Sequence, residues 1–297
     1  MMLLLSVLAF VGSSAVSIAL SEHPFQSFIR STYTPLILAG VLVFSARLRL
    51  RFLATAFVLA LAADSAWQAL RGVDVFGYTA QGSRIMGFLP HPNDMAILAV
   101  ALPFAAWWAW PAGVVSALLS GSRNALLGLA TGAVVLTPAR WRVRTLAGLA
   151  AAAITLTLLL SHAAPITSME ARVGHWAVAA QMFAEAPLFG KGPHTFVDYY
   201  LPYLDRVRPL PFNATPEITF VPWAHSLYFE QLAERGIVGF LVFLIPLLLA
   251  WRWGSRSIRA GVAALLVMGV FDLSLIKPWV VGAYWLLVGS ASGSMTA

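Results

Sequence analysis

The sequence predicts an all-α, polytopic membrane helix bundle, and three observations carry that prediction. Hydrophobic residues make up 60% of the 297 and charged residues only 10%, whereas a soluble domain carries roughly 25% charged residues. So few charges cannot clothe a water-facing surface. The apolar runs are long and numerous enough to cross a bilayer, at about 20 residues per helix. Arginines cluster between those runs, at Arg47, Arg49 and Arg51, at Arg140, Arg142 and Arg144, and at Arg252, Arg256 and Arg259. No acidic residue interrupts a cluster, which is the positive-inside pattern of short cytoplasmic loops. The net charge of +7 therefore reads as membrane orientation, and nucleic acid is not expected as a partner.

The expected spans are 1–20, 33–46, 52–70, 95–110, 111–121, 124–138, 145–161, 236–251, 260–276 and 278–294. About ten transmembrane helices then form a single membrane domain, 1–297, with both termini cytoplasmic. All three arginine clusters fall inside on this tracing. Residues 1–20 lack the basic start of a signal peptide and are expected to stay as the first helix. Cysteine is absent, which excludes thiol nucleophiles, disulfides and thiolate metal sites.

Segment 111–121 is too short for an ordinary span. At about 1.5 Å per residue it covers only half of a hydrocarbon core of about 30 Å. It ends in Ser120-Gly121-Ser122-Arg123, and the next apolar run starts at once. A tight hairpin would place Arg123 at or below the outer membrane surface. An arginine there is a functional candidate; snorkelling to the interface is the plain alternative.

The large extracytoplasmic loop, 162–235, holds two helix signatures. The first opens with a capping-box pattern, Thr167-Ser168-Met169-Glu170, and runs to Ala186, stopping at Pro187. Arg172, His175, Trp176 and Ala179 share one face of it by the i, i+3, i+4 rule. A turn follows, Leu188-Phe189-Gly190-Lys191-Gly192-Pro193, whose glycines would let backbone N–H groups approach an anion. The second signature, Ala224 to Gly236, starts near His225, with Gly236 placed as its C-cap. A shorter external loop, 71–94, carries Arg71, Asp74, Arg84, His91 and Asp94.

Arg123, Arg172, Lys191 and His225 could all approach the outer interface on this topology. Arginine's planar fork suits bidentate phosphate contacts. A histidine at a helix N-terminus is favoured in its neutral form and can take a proton from a hydroxyl. Plain readings stand beside these: His225 as a cap, Arg172 paired with Glu170, Lys191 as a solvated loop charge. His91 and His194 lack ligand spacing, so no metal site is indicated.

Several stretches resemble the bacterial O-antigen ligases and polymerases that share an O-antigen ligase-related domain. Ser122-Arg123-Asn124 through Gly128 resembles the family's serine–arginine segment opening a membrane helix. Arg172 to Trp176, with Pro187-Leu188-Phe189-Gly190-Lys191-Gly192-Pro193-His194-Thr195-Phe196, resembles its arginine helix and glycine turn. His225-Ser226-Leu227-Tyr228 with Glu234-Arg235-Gly236 resembles its histidine element. Pro92-Asn93-Asp94-Met95-Ala96 resembles the family's asparagine-containing entry to a span, and Asp272 falls at a plausible place.

The resemblance, from about residue 84 to about 290, implies a C-type glycosyltransferase-like membrane fold with a large periplasmic loop, in the bacterial inner membrane. It implies transfer of a glycan from undecaprenyl diphosphate to a glycan or lipid acceptor, inverting and without metal or other cofactor. Arg123 and Arg172 would hold the diphosphate and His225 would act as base, with Lys191, Arg84, Asn93 and His175 as supporting residues. Two departures stand out. The chain is shorter than most members, as if one or two N-terminal spans were missing, and Ser226 replaces an asparagine after the histidine. A polymerase joining repeat units is the alternative within the class. A transporter, with Asp64 and Asp272 on its path, is the alternative outside it, and a catalytically dead scaffold is the third.

Overall fold

A computed structural model describes residues 2–31, 50–143, 145–146, 167–211, 214–216, 221–272 and 274–291. Among the described residues every regular element is helical. The α-helices in chain order are α1 (Met2–Ala19), α2 (Pro24–Ser31), α3 (Leu50–Arg71), α4 (Pro92–Ala101), α5 (Trp110–Leu119) and α6 (Arg123–Leu136). They continue with α7 (Thr167–Glu185), α8 (Phe196–Leu204), α9 (Leu227–Trp253), α10 (Arg256–Asp272) and α11 (Pro278–Ser290). The expected span 33–46 and all but the first two residues of 145–161, with Arg47, Arg49 and Arg144, lie outside the described residues, as do the capping-box side chains of 167–169.

Two helices are long and apolar enough to cross a membrane, α3 over Phe52–Arg71 and α9 over Leu227–Trp253. The other apolar helices are shorter, Leu5–Ala19, Pro92–Phe104, Trp110–Leu119, Arg123–Leu136 and Pro278–Ser290 among them. The ten-span expectation is therefore met only in part. The run 95–110 shows why. It is not one helix: α4 ends at Ala101, and 3-10 turns at Leu102–Phe104 and Trp107–Ala109 lead into α5. Pro103 and Pro111 lack the N–H that a continuing helix would use, and Pro111 sits instead in the first turn of α5, where that loss costs nothing.

The chain falls into two compact units. The first takes Met1–Ile37, Ala163–Leu248 and Gly269–Pro278. Its core gathers Val178, Ala179 and Met182 of α7 with Phe196, Tyr199, Tyr200 and Tyr203 of α8. Both sets recur at three- and four-residue spacing, which puts each on one helix face. Arg172 and His175 stand about two turns and one turn before this packed stretch, so the core fixes the helix that presents them.

The second unit takes Leu38–His162, Leu249–Met268 and Trp279–Ala297. Helix α4 is apolar nearly all round and correspondingly buried. The α5–α6 hairpin turns at Ser120-Gly121-Ser122. Ser120 donates to the Ala117 carbonyl at 2.6 Å, and Ser122 caps α6 by accepting from the Ala125 N–H at 3.4 Å. Asn124 donates to the Met268 carbonyl of α10 at 2.9 Å, which ties the start of α6 down. Of the arginine clusters, Arg140, Arg142, Arg252, Arg256 and Arg259 are exposed.

Candidate active site

The site is organised by a break in α9. Gly236 interrupts the helix with φ 64° and ψ −171°, a left-handed conformation that glycine adopts without steric cost. The expectation of a helix end at Gly236 is met, but the chain continues helically on both sides. The break frees carbonyls before it and N–H groups after it, and the turn after α7 takes up both. The N–H groups of Lys191 and Gly192 donate to the carbonyls of Ala233 (3.0 Å) and Glu234 (2.9 Å). Ile237 and Val238 donate back to the carbonyls of Pro187 (2.8 Å) and Leu188 (3.1 Å).

No side chain fits where the two backbones meet. A Cβ on Gly190 would come within 2.3 Å of the Glu234 backbone, and one on Gly236 within 2.4 Å of Leu188. The glycine turn is thus a splice to a broken helix, which corrects its reading as an anion nest: its N–H groups are already bonded to carbonyls. The Glu234 carboxylate completes the joint, accepting from the N–H groups of His194 (2.8 Å) and Phe196 (3.2 Å) at the start of α8.

Just before α9 lies His225, at φ 51°. A non-glycine residue in this region is uncommon and costs of order 1–3 kcal/mol. Its neighbours hold it there. The Nδ1 atom is 3.0 Å from Oδ1 of Asp272, the last residue of α10, whose side chain is 3% exposed. The other carboxylate oxygen lies 4.0 Å from the Arg172 guanidinium. The His225 ring stacks on His175 at 5.0 Å and contacts Trp223 at 5.1 Å. Lys277 stands 4.3 Å from the Trp223 ring. Burial, then the nearby His225 and Arg172, push the His175 imidazole down to about 3 although Asp272 opposes them, so His175 is a neutral stacking partner. The expectation that His225 occupies the helix N-terminus is corrected: the helix begins two residues later, at Leu227. Asp272, not the helix end, is its polar partner.

A strained histidine with a buried carboxylate on one ring nitrogen, and an arginine beside that carboxylate, can orient a proton acceptor next to a cation. Among known families, the model described as O-Antigen ligase matches residues 95–244. The chain belongs to the O-antigen ligase family. No curated protein matches the sequence. Membership makes this chain a member of a membrane-associated family acting in O-antigen ligase- or polymerase-type glycan assembly. The matched stretch begins in α4 and ends within α9, so it contains Arg123, Arg172 and His225 and leaves Asp272 outside.

The remaining expected site residues divide into two groups. In the second unit, Arg84 donates through Nε to the Ser120 carbonyl at 2.9 Å and through its second arm to Asn93. His91 accepts from the Asn93 N–H at 3.1 Å and caps α4. Arg84 and Asn93 therefore buttress the hairpin tip that carries Arg123. Arg123 itself is exposed at the first residue of α6.

In the first unit, Lys191 is buried rather than solvated. Its ammonium pairs with Glu22 at 2.8 Å and Glu185 at 3.1 Å. Burial opposes that charge, yet the bonds to Glu22, Tyr203 and Glu185 raise the lysine above its ordinary value. Glu185 is held down to about 2, chiefly by the Tyr203 hydroxyl bond. The solvated-charge reading of Lys191 is thereby corrected.

Asp64 and Asp272, the acids a transport path would need, are both engaged. Asp64 accepts from the Val75 N–H at 2.8 Å, closing the loop after α3, and Asp272 serves His225. Among the described residues no group of three or more His, Asp or Glu side chains is placed to hold a metal ion. Asp272 is the partner of His225 that motif spacing does not single out. The signal for it was an ionisable residue inside an apolar run, which is functional by default.

Proposed function

We propose that the chain is a membrane glycan transferase that moves an oligosaccharide or polysaccharide from undecaprenyl diphosphate to an acceptor hydroxyl, on the extracytoplasmic face of the bacterial inner membrane, with both termini cytoplasmic. The observation that carries this reading is the His225–Asp272 pair at 3.0 Å with Arg172 beside it. Asp272 accepts a hydrogen bond from Nδ1–H, which fixes the tautomer and leaves Nε2 as the proton acceptor. The acceptor hydroxyl gives its proton to Nε2 as its oxygen attacks the anomeric carbon. The bond to the diphosphate breaks on the opposite face, which inverts the centre.

The leaving diphosphate gathers negative charge, and fixed cations that meet this charge lower the barrier. Arg172 and Arg123 are assigned to that task, Arg123 on the strength of the serine–arginine segment that opens α6. With arginines balancing the charge, the scheme needs no metal. Arg84 and Asn93 act on Arg123 through the hairpin tip, and His175 acts on His225 through its stacked ring. On this reading residues 162–235 form the extracytoplasmic loop of a single membrane domain.

The same chemistry serves a ligase, which transfers the glycan to a lipid or other acceptor, and a polymerase, which transfers it to another repeat unit. The test is glycan transfer in reconstituted membranes with an undecaprenyl diphosphate-linked donor, comparing the unsubstituted chain with Arg123→Ala, Arg172→Ala and His225→Ala. Loss of transfer in all three with folding intact supports the site, and the acceptor that becomes labelled separates ligase from polymerase. Full activity in the three variants would remove it.

A further inference from the structure

Helix α2 sorts its side chains in the reverse of the usual order. Phe25, Phe28 and Ile29 share one face at i, i+3, i+4 spacing and are 70%, 58% and 50% exposed, while Ser27 and Ser31 are buried. The polar face is turned inward because it is bonded there. Ser27 donates to the Pro193 carbonyl at 2.7 Å, and Arg30 donates to the His194 carbonyl at 3.0 Å and to Asp198 at 2.6 Å. Ser21, in the bend between α1 and α2, donates to the Lys191 carbonyl at 2.5 Å. Three carbonyls of the 191–194 turn, those of Lys191, Pro193 and His194, are thus held by this corner, and a Cβ on Gly192 would strike Ser21 at 2.5 Å.

The stretch before α2 also exposes large apolar side chains: Leu5, Leu8, Val16 and Leu20 are all more than two-fifths exposed. In a membrane-associated chain, an apolar helix followed by a short helix with an outward apolar face and a protein-bonded polar face suits the surface of the bilayer. We propose that α2 is an interfacial helix, with Phe25, Phe28 and Ile29 inserted at the headgroup–acyl boundary, and that it tethers the 190–194 turn to the lipid surface. The partner is the phospholipid bilayer. The proposal goes beyond the transfer chemistry and stands independently of it.

The chain contains no cysteine, so a single introduced one gives a unique label. Full-length Phe25→Cys, Phe28→Cys and Gln26→Cys proteins, nitroxide-labelled and reconstituted in phosphatidylcholine–phosphatidylglycerol vesicles, are compared for collision with oxygen and with an aqueous nickel chelate. Labels at 25 and 28 are expected about 5–10 Å into the headgroup–acyl boundary, and the label at 26, on the flank of the helix, nearer water. Ile29→Cys reads the same face if either aromatic position fails to fold, as judged by the thermal midpoint. Equal aqueous access at 25, 26 and 28 would overturn the proposal. So would dipolar coupling between labels on two molecules, because a second copy would then cover the face.

Discussion

His225 Nδ1 and Asp272 Oδ1 lie 3.0 Å apart, across 47 residues of sequence. The pair joins the residue before α9 to the last residue of α10, and it ties a histidine in a left-handed backbone conformation to a carboxylate nearly closed to solvent. Asp272→Asn keeps the shape and removes the charge that selects the Nδ1–H tautomer. It is expected to lower kcat for glycan transfer about 10²–10⁴-fold with little change in donor KM. Steady-state kinetics on reconstituted protein check this, and a kcat equal to that of the unsubstituted chain would remove Asp272 from the mechanism.

Arg172→Lys tests whether the guanidinium acts as a fork or as a point charge. Lysine keeps the charge but cannot make the planar bidentate contact. Donor affinity is expected to fall roughly ten- to hundredfold, from the loss of a charged hydrogen bond of about 1.5–3 kcal/mol. Binding of an undecaprenyl diphosphate donor to the two proteins measures it directly. Unchanged affinity would mean that Arg172 serves only Asp272.

Gly236→Ala should be severely destabilising, because the position combines φ 64° with a contact of 2.4 Å to Leu188. The expected loss is about 3 kcal/mol or more, seen as a lower thermal midpoint. Gly12→Ala is the control, since a Cβ there meets nothing within 4 Å and alanine favours a helix by about 1 kcal/mol over glycine. Equal midpoints for the two variants would contradict the splice between the glycine turn and α9.

Lys191→Met separates a structural lysine from a substrate-binding one. Its charge is committed to Glu22 and Glu185, and Glu22 is largely exposed, which softens the loss. Stability is expected to fall by about 1–3 kcal/mol, with transfer per folded molecule nearly unchanged. A selective rise in donor KM would instead place Lys191 on the substrate.

His175 gives the loop an acid-sensitive element. Its ordinary value of 6.5 falls to about 3 in the folded state, first through burial and then through His225 and Arg172. Above 6.5 both folded and unfolded forms are neutral and the residue contributes no pH dependence. Below 6.5 the unfolded form binds the proton that the folded form refuses, so stability falls as pH drops from 6.5 toward about 3. His175→Phe should flatten that part of the stability–pH curve. A curve of unchanged slope would show that His175 is free to charge in the folded protein.

Some of this was readable directly from residue types and their order. Composition determined that the chain is helical and membrane-associated, because so few charges cannot face water. The apolar run after Arg123 marks the start of α6 within a residue, and Pro187 marks the end of α7, because apolar runs and prolines act on local backbone. Arg172 and His175 fell on one face because helical spacing alone decides that.

Tertiary structure decided what depends on partners distant in the chain. Two glycines around Lys191 look alike whether they cradle an anion or dock on a broken helix; only the carbonyls at 233 and 234 and the N–H groups at 237 and 238 show which. Lys191 looked solvated because its two carboxylates come from Glu22 and Glu185, in other helices or bends. Asp272 reads in the sequence as one acid in an apolar run, and becomes the partner of His225 only when α10 brings it to the start of α9. Local backbone chemistry is written in neighbouring residues, whereas the orientation of a proton acceptor is set by whichever distant side chain folding delivers to it.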